Sequence, residues 1–394
     1  MNVAANKAPT AKTLSSDLGS DLDPDRPRIG ILTSGGDCPG LNAVIRAVTK
    51  TAYWLGYQVI GFENGFEGLI DPVRYRSLDP QNTSGILTKG GTILGSTNKG
   101  RFAARAGVDG RAELAPGILD QVRETFDRLQ LEGLIVVGGD GSLSTALQFH
   151  EEGLPIVGVP KTIDNDLACT AYTFGFNSAV LCCSDALDRL HTTAESHSRV
   201  MVLEVMGRHT GWIALHGGIA GGGDVILIPE IPWTYENVMA KIQERAKIGR
   251  NFTLIVVAEG AELPDGSLVT GESANLQVKL GGIGGIVAAE LDQRIDQEVR
   301  SVTLGHLQRG GGPTTFDRVL SSQYGAHAVR LVVEKKFGEM VCYDPPDVSG
   351  VPIAQAVHSI RTVDPNGSAV LSARMMGICL GDTPGYVNPL VAKK

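Results

Sequence analysis

Short apolar runs that end in glycine-containing polar turns, each followed by a helical pattern, constrain the fold of this chain more than any other feature. The run at 28–33 reads RIGILT, the turn at 34–40 reads SGGDCPG, and residues 41–53 then carry apolar side chains at helical spacing. An apolar run at 134–137 is followed by another such turn. Strands that alternate with helices in this way form parallel sheets covered on both faces. The pattern therefore predicts an α/β protein.

The chain has 394 residues, which is enough for more than one unit of this kind. We predict strands at 28–33, 58–62, 134–137, 155–159, 200–205, 225–228 and 253–258, and helices at 41–53, 118–131 and 236–248. The rhythm of strands and helices restarts soon after Phe174 and Gly175, which predicts two α/β units. The polar residues 1–27 are expected to form a disordered tail, and the Gly-rich residues 260–285 a surface excursion.

Charge and hydropathy exclude several classes of partner. The formal net charge is −8 and no long basic run occurs, so neither nucleic acid nor an anionic membrane surface is expected as a main partner. No run approaches the roughly 18 apolar residues of a membrane span, and residues 1–27 lack the apolar core of a signal peptide. The six cysteines form no CxxC pair and are expected to be buried free thiols in a reducing compartment, which indicates the cytoplasm.

Three polar turns lie at predicted strand ends, where ligands bind in open α/β sheets. They are residues 34–37, 138–142 and 161–166. Glycine lets main-chain N–H groups approach phosphate oxygens, and the start of the following helix adds a positive dipole. One such turn is commonly a plain connection, but three with carboxylates favour a phosphate site.

The carboxylates of these turns indicate the type of reaction. Asp140, Asp164 and Asp166 are hard oxygen ligands that suit Mg²⁺, which needs only one or two of them. A third carboxylate is then free to accept a proton from a hydroxyl nucleophile. The alternative is Asx-turn chemistry without a ligand. The chain has no GxxxxGK[ST] motif and no GxGxxG directly after a strand, so it is not a P-loop protein and a dinucleotide site is disfavoured.

Basic side chains of the second half complete the pattern. Arg199, Arg208, Arg300, His306 and Arg309 lie at predicted turns and strand ends. A lone arginine is usually a solvated surface residue, but several together fit a phosphate cage, because guanidinium binds phosphate through two parallel hydrogen bonds. The residues alone therefore predict Mg²⁺-dependent phosphoryl transfer involving a phosphorylated small molecule.

With these motifs in order, the sequence resembles the 6-phosphofructokinases. The resemblance runs from about residue 28 to the 350s and includes TSGGDCPG at 33–40, GGDGS at 138–142, PKTIDND at 160–166, MGRHTGW at 206–212 and GHLQRGG at 305–311. NAD kinases and lipid kinases share the GGDG turn but not the TIDND, MGR and GHLQRGG elements. The resemblance implies two Rossmann-like, three-layer α/β domains with mainly parallel sheets and the active site between them. Residues 28–175 with 308–358 would form the donor-nucleotide domain, and residues 176–307 with 359–394 the fructose 6-phosphate domain.

The resemblance also implies roles for single residues. Asp164 is similar to the base that activates the 1-hydroxyl of fructose 6-phosphate, Thr162 to the residue beside the transferred phosphoryl group, and Arg208 to its charge stabiliser. Asp140 and Asp166 match the Mg²⁺-associated aspartates. The residues that match the phosphate-donor site are Gly35, Gly139, Gly141, Ser142 and Lys161. Those that match the sugar-phosphate site are Met206, Gly207, Glu259, His306 and Arg309.

The donor is either ATP or pyrophosphate. ATP-dependent bacterial members usually have Gly at two donor-selecting positions, and pyrophosphate-dependent members Asp and Lys; here they are Gly141 and Lys161. An Asp at position 141 would crowd and repel an α-phosphate, whereas Gly leaves room, so ATP is favoured. Glu63 and Asn98 stand where ATP-dependent members often carry Tyr and Arg, so the adenine contacts depart from the family pattern.

Assembly and regulation follow from the resemblance alone. Arg199 and Arg300 match arginines that reach the 6-phosphate from a neighbouring subunit, which implies a homo-oligomer, usually a homotetramer. The family is allosteric, but His191 replaces an arginine of the effector region, so the effectors are not specified. A non-catalytic sugar-phosphate-binding homologue is a further alternative, which the presence of all three aspartates disfavours.

Overall fold

The structure, a computed structural model, describes residues 22–97, 102, 117–271 and 279–383. The chain divides into two compact units, each assembled from three stretches. The first consists of Met1–Thr162, Leu167–Phe174 and Thr315–Ser359. The second consists of Ile163–Asp166, Gly175–Thr314 and Ile360–Lys394.

Strands and helices alternate along most of the described chain. The strands are β1 (Arg28–Thr33), β2 (Gln58–Phe62), β3 (Tyr75–Leu78), β4 (Leu131–Gly138), β5 (Ile156–Thr162), β6 (Phe174–Gly175), β7 (Val200–Val205), β8 (Val225–Leu227), β9 (Thr253–Ala258), β10 (Thr270–Gly271), β11 (Lys279–Leu280), β12 (Val299–Thr303), β13 (Glu339–Asp344) and β14 (Asp347–Pro352). The helices are α1 (Leu41–Trp54), α2 (Ile118–Leu129), α3 (Asp140–Glu151), α4 (Phe176–His197), α5 (Trp212–Ala220), α6 (Tyr235–Lys247), α7 (Ile283–Asp292), α8 (Thr315–Val333), α9 (Ile353–Ala356) and α10 (Ser368–Met375). Short 3₁₀ helices occupy Gly65–Leu69, Ile86–Thr88 and Gly305–Arg309.

The first unit is built on a twisted sheet in the order β14-β13-β5-β4-β1-β2-β3, with β6 paired to β5. Strands β1, β2, β4, β5 and β13 are parallel, and β3 and β14 are antiparallel edge strands. Helices α2 and α3 bury Val122, Phe126 and Leu143 against one face of this sheet. Helices α1 and α8 pack on each other, and because side chains alternate along strands they cover the other face. The unit thus has three layers, because its central strands are apolar on both sides.

The second unit contains a four-stranded parallel sheet in the order β12-β7-β9-β8. Helices α6 and α7 pack on one face through Val238, Ile242 and Val287. Helices α4 and α5 contact the same strands and cover the opposite face. Beyond β8, Cys379 forms a parallel bridge with Val225. The predicted α/β class with mainly parallel sheets is confirmed.

Most predicted strands and helices are present in the structure, and some of their bounds differ by a few residues. The strands at 28–33, 58–62, 200–205 and 253–258 have the predicted bounds. The helix predicted at 118–131 ends at Leu129, because Gln130 adopts a left-handed conformation (φ 51°) and Leu131 begins β4. The strand predicted at 155–159 continues to Thr162, since Lys161 is buried within it.

Two predicted irregular segments differ from the structure. Residues 22–27 are not a free tail, because Leu22 is buried in the core of the first unit and the Arg26 guanidinium donates to the carbonyls of Gly56 and Tyr57. Residues 1–21 lie outside the described residues. The excursion at 260–285 contains the β10–β11 hairpin and the start of α7; its residues 272–278 also lie outside the described part.

The unit boundaries also differ in detail from the predicted ones. Residues 163–166 and 308–314 group with the second unit, whereas the prediction placed them in the first. Their hydrogen bonds explain the difference, since Thr210 holds the carbonyl of Asp164 and Gln308 holds the N–H of Met206. The change of unit at Gly175 lies where the sequence pattern indicates it.

The six cysteines carry free thiols. Cys38, Cys183, Cys342 and Cys379 are buried, but the expectation of burial is wrong for Cys169, which is exposed, and for the half-buried Cys182. Cys169 lies in a turn after the 163–166 loop, outside the strands and helices that form the core, and has a left-handed backbone (φ 62°). Across the described residues, no helix combines the length and apolarity needed to cross a membrane.

Candidate active site

Hydrogen bonds connect the glycine turn after β1 to two neighbouring segments of the first unit. The N–H of Ser34 donates to the carbonyl of Val137 at the end of β4, at 2.9 Å. The N–H of Gly35 donates to the carbonyl of Thr97 at 3.3 Å, and the Ser96 hydroxyl donates to the carbonyl of Gly35. Gly35 has φ 80°, a conformation that glycine adopts without strain. Two separate motifs of the sequence therefore meet at this turn.

Four of the five residues predicted to bind the phosphate donor lie together beside that turn. A Cβ added to Gly35 would lie 3.4 Å from Nζ of Lys161 and 3.4 Å from Oγ of Ser142. A Cβ added to Gly139 would lie 3.2 Å from the carbonyl oxygen of Lys161. The Lys161 side chain is 4% exposed, and its ammonium donates to the carbonyl of Gly36. The result is a glycine-lined corner with one buried positive charge, which suits an anionic ligand.

The same corner contains the start of α3. Gly139 is the N-terminal cap of this helix, and Asp140 and Gly141 occupy its first turn. Main-chain N–H groups at a helix start attract anions. Gly141 is the fifth predicted donor residue, and its carbonyl accepts from the hydroxyl of Thr145 at 3.2 Å.

Asp140 and Asp166 have the chemistry expected of Mg²⁺ ligands. Asp140 is exposed at the start of α3, and Asp166 is half-buried in the second unit. Among the described residues no group of three or more His, Cys, Asp or Glu side chains is arranged to hold a metal ion. Mg²⁺ needs no such group, because it takes one or two carboxylates together with substrate phosphates and water. Each aspartate therefore has the hard oxygen atoms that a Mg²⁺ ion bound with a phosphate donor takes as ligands.

Residues 163–166, which follow β5 and include the predicted base Asp164, are called the catalytic loop after that prediction. Asn165 is buried and left-handed (φ 52°), so the loop turns sharply between its two aspartates. The carbonyl of Asp164 accepts from the Thr210 hydroxyl at 3.3 Å, and the carbonyl of Asp166 accepts from the N–H of Arg361 at 2.7 Å. The Oδ1 atom of Asp164 is buried from solvent. Thr162 ends β5, and its carbonyl accepts from the hydroxyl of Thr173 in the first unit.

The loop after β7 holds the MGR residues in an extended, glycine-dependent path. The N–H of Met206 donates to the side chain of Gln308 at 2.7 Å. Gly207 has φ 143°, and its carbonyl accepts from the N–H of Gly260 at 3.0 Å. A Cβ on Gly260 would lie 2.0 Å from the carbonyl oxygen of Arg208, so only glycine fits there. Gln308 and Gly260 were not predicted; the GHLQRGG motif contains Gln308, but the sequence does not reveal its partner.

Arg208 lies beside the catalytic loop in the second unit. Burial lowers the pKa of His209, the Arg208 charge lowers it further, and Asp166 opposes the shift, which places both charges near this histidine. The Nε atom of Arg208 is buried and has no hydrogen-bond partner in the described part of the chain. This guanidinium therefore has a donor available for a phosphoryl oxygen.

Two carboxylates, those of Glu204 and Glu259, lie near each other at the loop after β7. Burial raises the pKa of Glu259, the Glu204 charge raises it further, and Arg309 opposes the shift. Glu204 is 1% exposed and accepts from the N–H groups of Gly282 at 3.0 Å and Gly284 at 2.7 Å, at the start of α7. Glu204 was missed from the sequence, although a single Glu within the apolar run VMVLEV is the pattern that could have revealed it.

Arg199 and Arg300 lie at the opposite end of this sheet. Both guanidiniums form ion pairs with Glu298, at the amino ends of β7 and β12. His306, by contrast, is exposed on the 3₁₀ helix that follows the carboxyl end of β12. Of the predicted sugar-phosphate residues, these two arginines are therefore the ones that the fold does not bring to the carboxyl ends of the strands.

Glu63, at the predicted adenine pocket, is engaged within the protein. It is 8% exposed and accepts from Nε of Arg76 at 2.9 Å. Its carboxylate is thus neutralised by a neighbouring side chain. Asn98, the other residue of that prediction, lies outside the described residues.

The first unit holds glycine-lined turns at a helix start, and the second holds a loop with two aspartates close to an arginine. Groups of these kinds are typical of α/β phosphotransferases. Comparison of the sequence with family models gives a match to the family described as phosphofructokinase over residues 28–332. The chain belongs to the phosphofructokinase family, as the motifs predict.

Individual relatives agree with this assignment. The chain is 52% identical over 355 residues to an ATP-dependent 6-phosphofructokinase of Chloroflexus aurantiacus, covering 90% of this chain and 98% of that protein. It is 46% identical over 361 residues to ATP-dependent 6-phosphofructokinase 2 of Clostridium perfringens, again covering 90% and 98%.

Solved structures share the fold. The phosphofructokinase of Pichia pastoris in the T-state superposes with a TM-score of 0.73 at 32% identity, over 88% of this chain and 37% of that longer chain. A pyrophosphate-dependent phosphofructokinase of Marinobacter aquaeolei superposes with a TM-score of 0.71 at 21% identity, covering 87% of each chain. The second likeness concerns the fold alone.

Proposed function

We propose that this protein is an ATP-dependent 6-phosphofructokinase. It would transfer the γ-phosphoryl group of ATP to the 1-hydroxyl of D-fructose 6-phosphate and release fructose 1,6-bisphosphate, a glycolytic reaction. The observation that carries the proposal is the 52% identity to an ATP-dependent enzyme along nearly its whole length. The half-buried, loop-held Asp164 and the available donor of Arg208 are what such a reaction requires.

In the proposed mechanism, Asp164 accepts the proton of the sugar 1-hydroxyl as this oxygen attacks phosphorus. Arg208 donates to the transferred phosphoryl group and stabilises its charge, and Thr162 lies beside that group. Mg²⁺, when bound, would neutralise the phosphate charge of the donor, with Asp140 and Asp166 as its protein ligands.

The two substrates would use the two clusters described above. The donor phosphates would lie on Gly35, Gly139, Gly141, Ser142 and Lys161, where a glycine turn, the start of α3 and one buried ammonium lie together. Fructose 6-phosphate would be held by Met206, Gly207, Glu259, His306 and Arg309. The ionised carboxylate of Glu259 would accept from sugar hydroxyls, and His306 and Arg309 would contact the phosphate.

We further propose that Arg199 and Arg300 serve the site of a neighbouring subunit in a cytoplasmic, allosterically regulated homotetramer. Support comes from their position at the amino ends of β7 and β12, away from the other sugar-phosphate residues. Their shared partner Glu298 holds the two guanidiniums together, as a doubly charged phosphate would require.

The choice of donor is tested by measuring kcat/KM with Mg·ATP and with pyrophosphate for the wild type and for Gly141→Asp. A carboxylate about 4 Å from a phosphate costs up to about 4 kcal/mol at an effective dielectric near 20, or several hundredfold in rate. We expect the wild type to use ATP and the variant to lose ATP turnover selectively.

The matched control is Gly285→Asp, which adds the same charge in open space on α7 and should leave kcat/KM unchanged. A wild type that uses pyrophosphate efficiently and ATP barely at all would replace the proposal with its alternative, a pyrophosphate-dependent fructose-6-phosphate 1-phosphotransferase. The buried Lys161 would then set the donor.

A further inference from the structure

The C-terminal stretch of the second unit returns to the catalytic loop at Arg361. The N–H of Arg361 donates to the carbonyl of Asp166 at 2.7 Å. Its own carbonyl accepts from Nε1 of Trp212 at 3.0 Å, and its guanidinium carbon lies 4.7 Å from the centre of the Trp212 ring. Trp212 therefore contacts Arg361 through both a hydrogen bond and stacking, and Arg361 in turn binds the main chain of Asp166.

Glu230 ties the same two segments together a second time. Its two carboxylate oxygens each lie 3.0 Å from the N–H of Gly211, the residue before Trp212. Its Oε1 atom also accepts from the N–H of Val363 at 2.9 Å, two residues beyond Arg361. Hydrogen bonds to a charged acceptor are stronger than neutral ones, so this link is firm.

The segment that carries Trp212 also contacts the catalytic loop directly. The hydroxyl of Thr210 donates to the carbonyl of Asp164 at 3.3 Å. Both aspartate carbonyls are thus held, one by Thr210 and one by Arg361, and Trp212 and Glu230 connect the two holders.

We propose that Trp212, Glu230 and Arg361 form a brace that positions the catalytic loop for phosphoryl transfer. The inference rests on the proposed function, since it assigns the aspartates of that loop to the reaction. The three are positioning residues: they set the main chain from which Asp164 and Asp166 project. Because an error of about 1 Å in such a group can cost about 100-fold in rate, fixing the loop before substrate arrives has a direct effect on turnover.

The test is Trp212→Phe, which keeps an aromatic ring for Arg361 to stack on and removes the indole N–H together with the five-membered part of the ring system. We expect kcat to fall about tenfold, and the KM for either substrate to change less than about twofold, because losing one hydrogen bond shifts the loop without removing a ligand. The KM of the sugar phosphate should be preserved, since the main chain of Met206 is held by Gln308.

The chain offers a matched control in Trp233→Phe. Trp233 is buried in the same unit, and its Nε1 donates to the carbonyl of Glu262 at 2.7 Å. This substitution removes the same kind of hydrogen bond away from the catalytic loop, so kcat should stay at the wild-type value. An equal fall of kcat in both variants would overturn the brace, because it would show a general loss of packing.

A second readout is independent of turnover. The exchange of the Arg361 amide with solvent deuterium, followed in peptides that span 358–366, should accelerate in Trp212→Phe and remain unchanged in Trp233→Phe. If the wild type does not phosphorylate fructose 6-phosphate, the proposed function fails, whereas unchanged exchange in Trp212→Phe overturns the brace itself. Faster exchange with a wild-type kcat would also overturn it, since the loop would then need no positioning.

Glu230→Gln provides a further variant should Trp212→Phe fold poorly. The carboxamide puts an NH2 group, which cannot accept, in place of the second oxygen that faces the N–H of Gly211, and it removes the negative charge that strengthens the bonds to Gly211 and Val363. We expect the same loss of kcat with little change in KM. The double variant with Trp212→Phe should lose less than the product of the two single losses, because both act on one element. Strictly multiplicative losses would show two unrelated effects and contradict the brace.

Discussion

Arg199 and Arg300 allow a decisive test of whether the active site is shared between subunits. Both lie at the amino ends of β7 and β12, whereas Arg208 and His306 follow the carboxyl ends. At about 3.3 Å per residue, the six residues of β7 separate its two ends by about 17 Å. Both guanidiniums are held by Glu298 at the amino ends of the strands, so neither lies beside the other cluster of the same chain.

The perturbation combines two inactive variants. Asp164→Asn keeps the shape of the proposed base but cannot accept a proton, which typically lowers kcat about 10²- to 10⁴-fold. Arg300→Ala removes one of the two proposed phosphate contacts and should raise the KM for fructose 6-phosphate, so this variant is inactive when the assay is run at a substrate concentration far below its KM. If each site takes Asp164 from one chain and Arg300 from its neighbour, random equal mixing leaves about one quarter of the sites intact. If both came from the same chain, mixing would leave none.

The assay is the rate of fructose 1,6-bisphosphate formation by hybrid oligomers, obtained by co-expressing the two variants with different affinity tags. About 25% of the wild-type rate per site is expected, against almost none for either variant alone. Wild type mixed with Asp164→Asn is the control and should retain about half of the activity. Hybrids that are verified by their tags and remain as inactive as the single variants would refute the shared site.

Further predictions concern pH and thiols. Burial and the Glu204 charge raise the pKa of Glu259, so as the pH falls this carboxylate takes up a proton at a higher pH than an ordinary glutamate does. The KM for fructose 6-phosphate should rise as the proton binds, and Glu259→Gln should abolish that rise. Because its folded-state pKa is raised, the buried Glu259 lowers the free energy of unfolding as the pH rises through that pKa and the carboxylate becomes ionised. Glu259→Gln should therefore raise the Tm more at about pH 8 than at about pH 4. An equal rise in Tm at both pH values would contradict the burial effect. With a chromogenic disulfide reagent the exposed Cys169 should react first and Cys183, whose pKa burial raises to about 12, should not react; a fast phase that persists in Cys169→Ser would contradict this order.

The sequence predicts those parts of the fold that depend on local patterns. The strands Arg28–Thr33 and Gln58–Phe62 have the predicted bounds, because each is a short apolar run between polar or glycine-containing turns. The meeting of Gly35 with Ser142 and Lys161 also follows, since β1, β4 and β5 are parallel neighbours and their turns lie at one edge.

What the sequence does not reveal depends on partners far along the chain. Gln308 and Glu230 are ordinary polar residues until their acceptor atoms are seen beside Met206 and Val363, which are 102 and 133 residues away. Lys161 was expected in a turn, but the strand continues through it because its ammonium finds a carbonyl acceptor within the protein.

The division of each unit among three stretches has a consequence for biosynthesis. The chain passes from one unit to the other five times, after residues 162, 166, 174, 314 and 359. The sheet of the first unit lacks β13 until residues 339–344 have been made, and the edge of β8 lacks its bridge until Cys379 has been made. Neither unit can therefore close while most of the protein is still emerging from the ribosome, and a product truncated before residue 339 would expose two unfinished strand edges that invite aggregation.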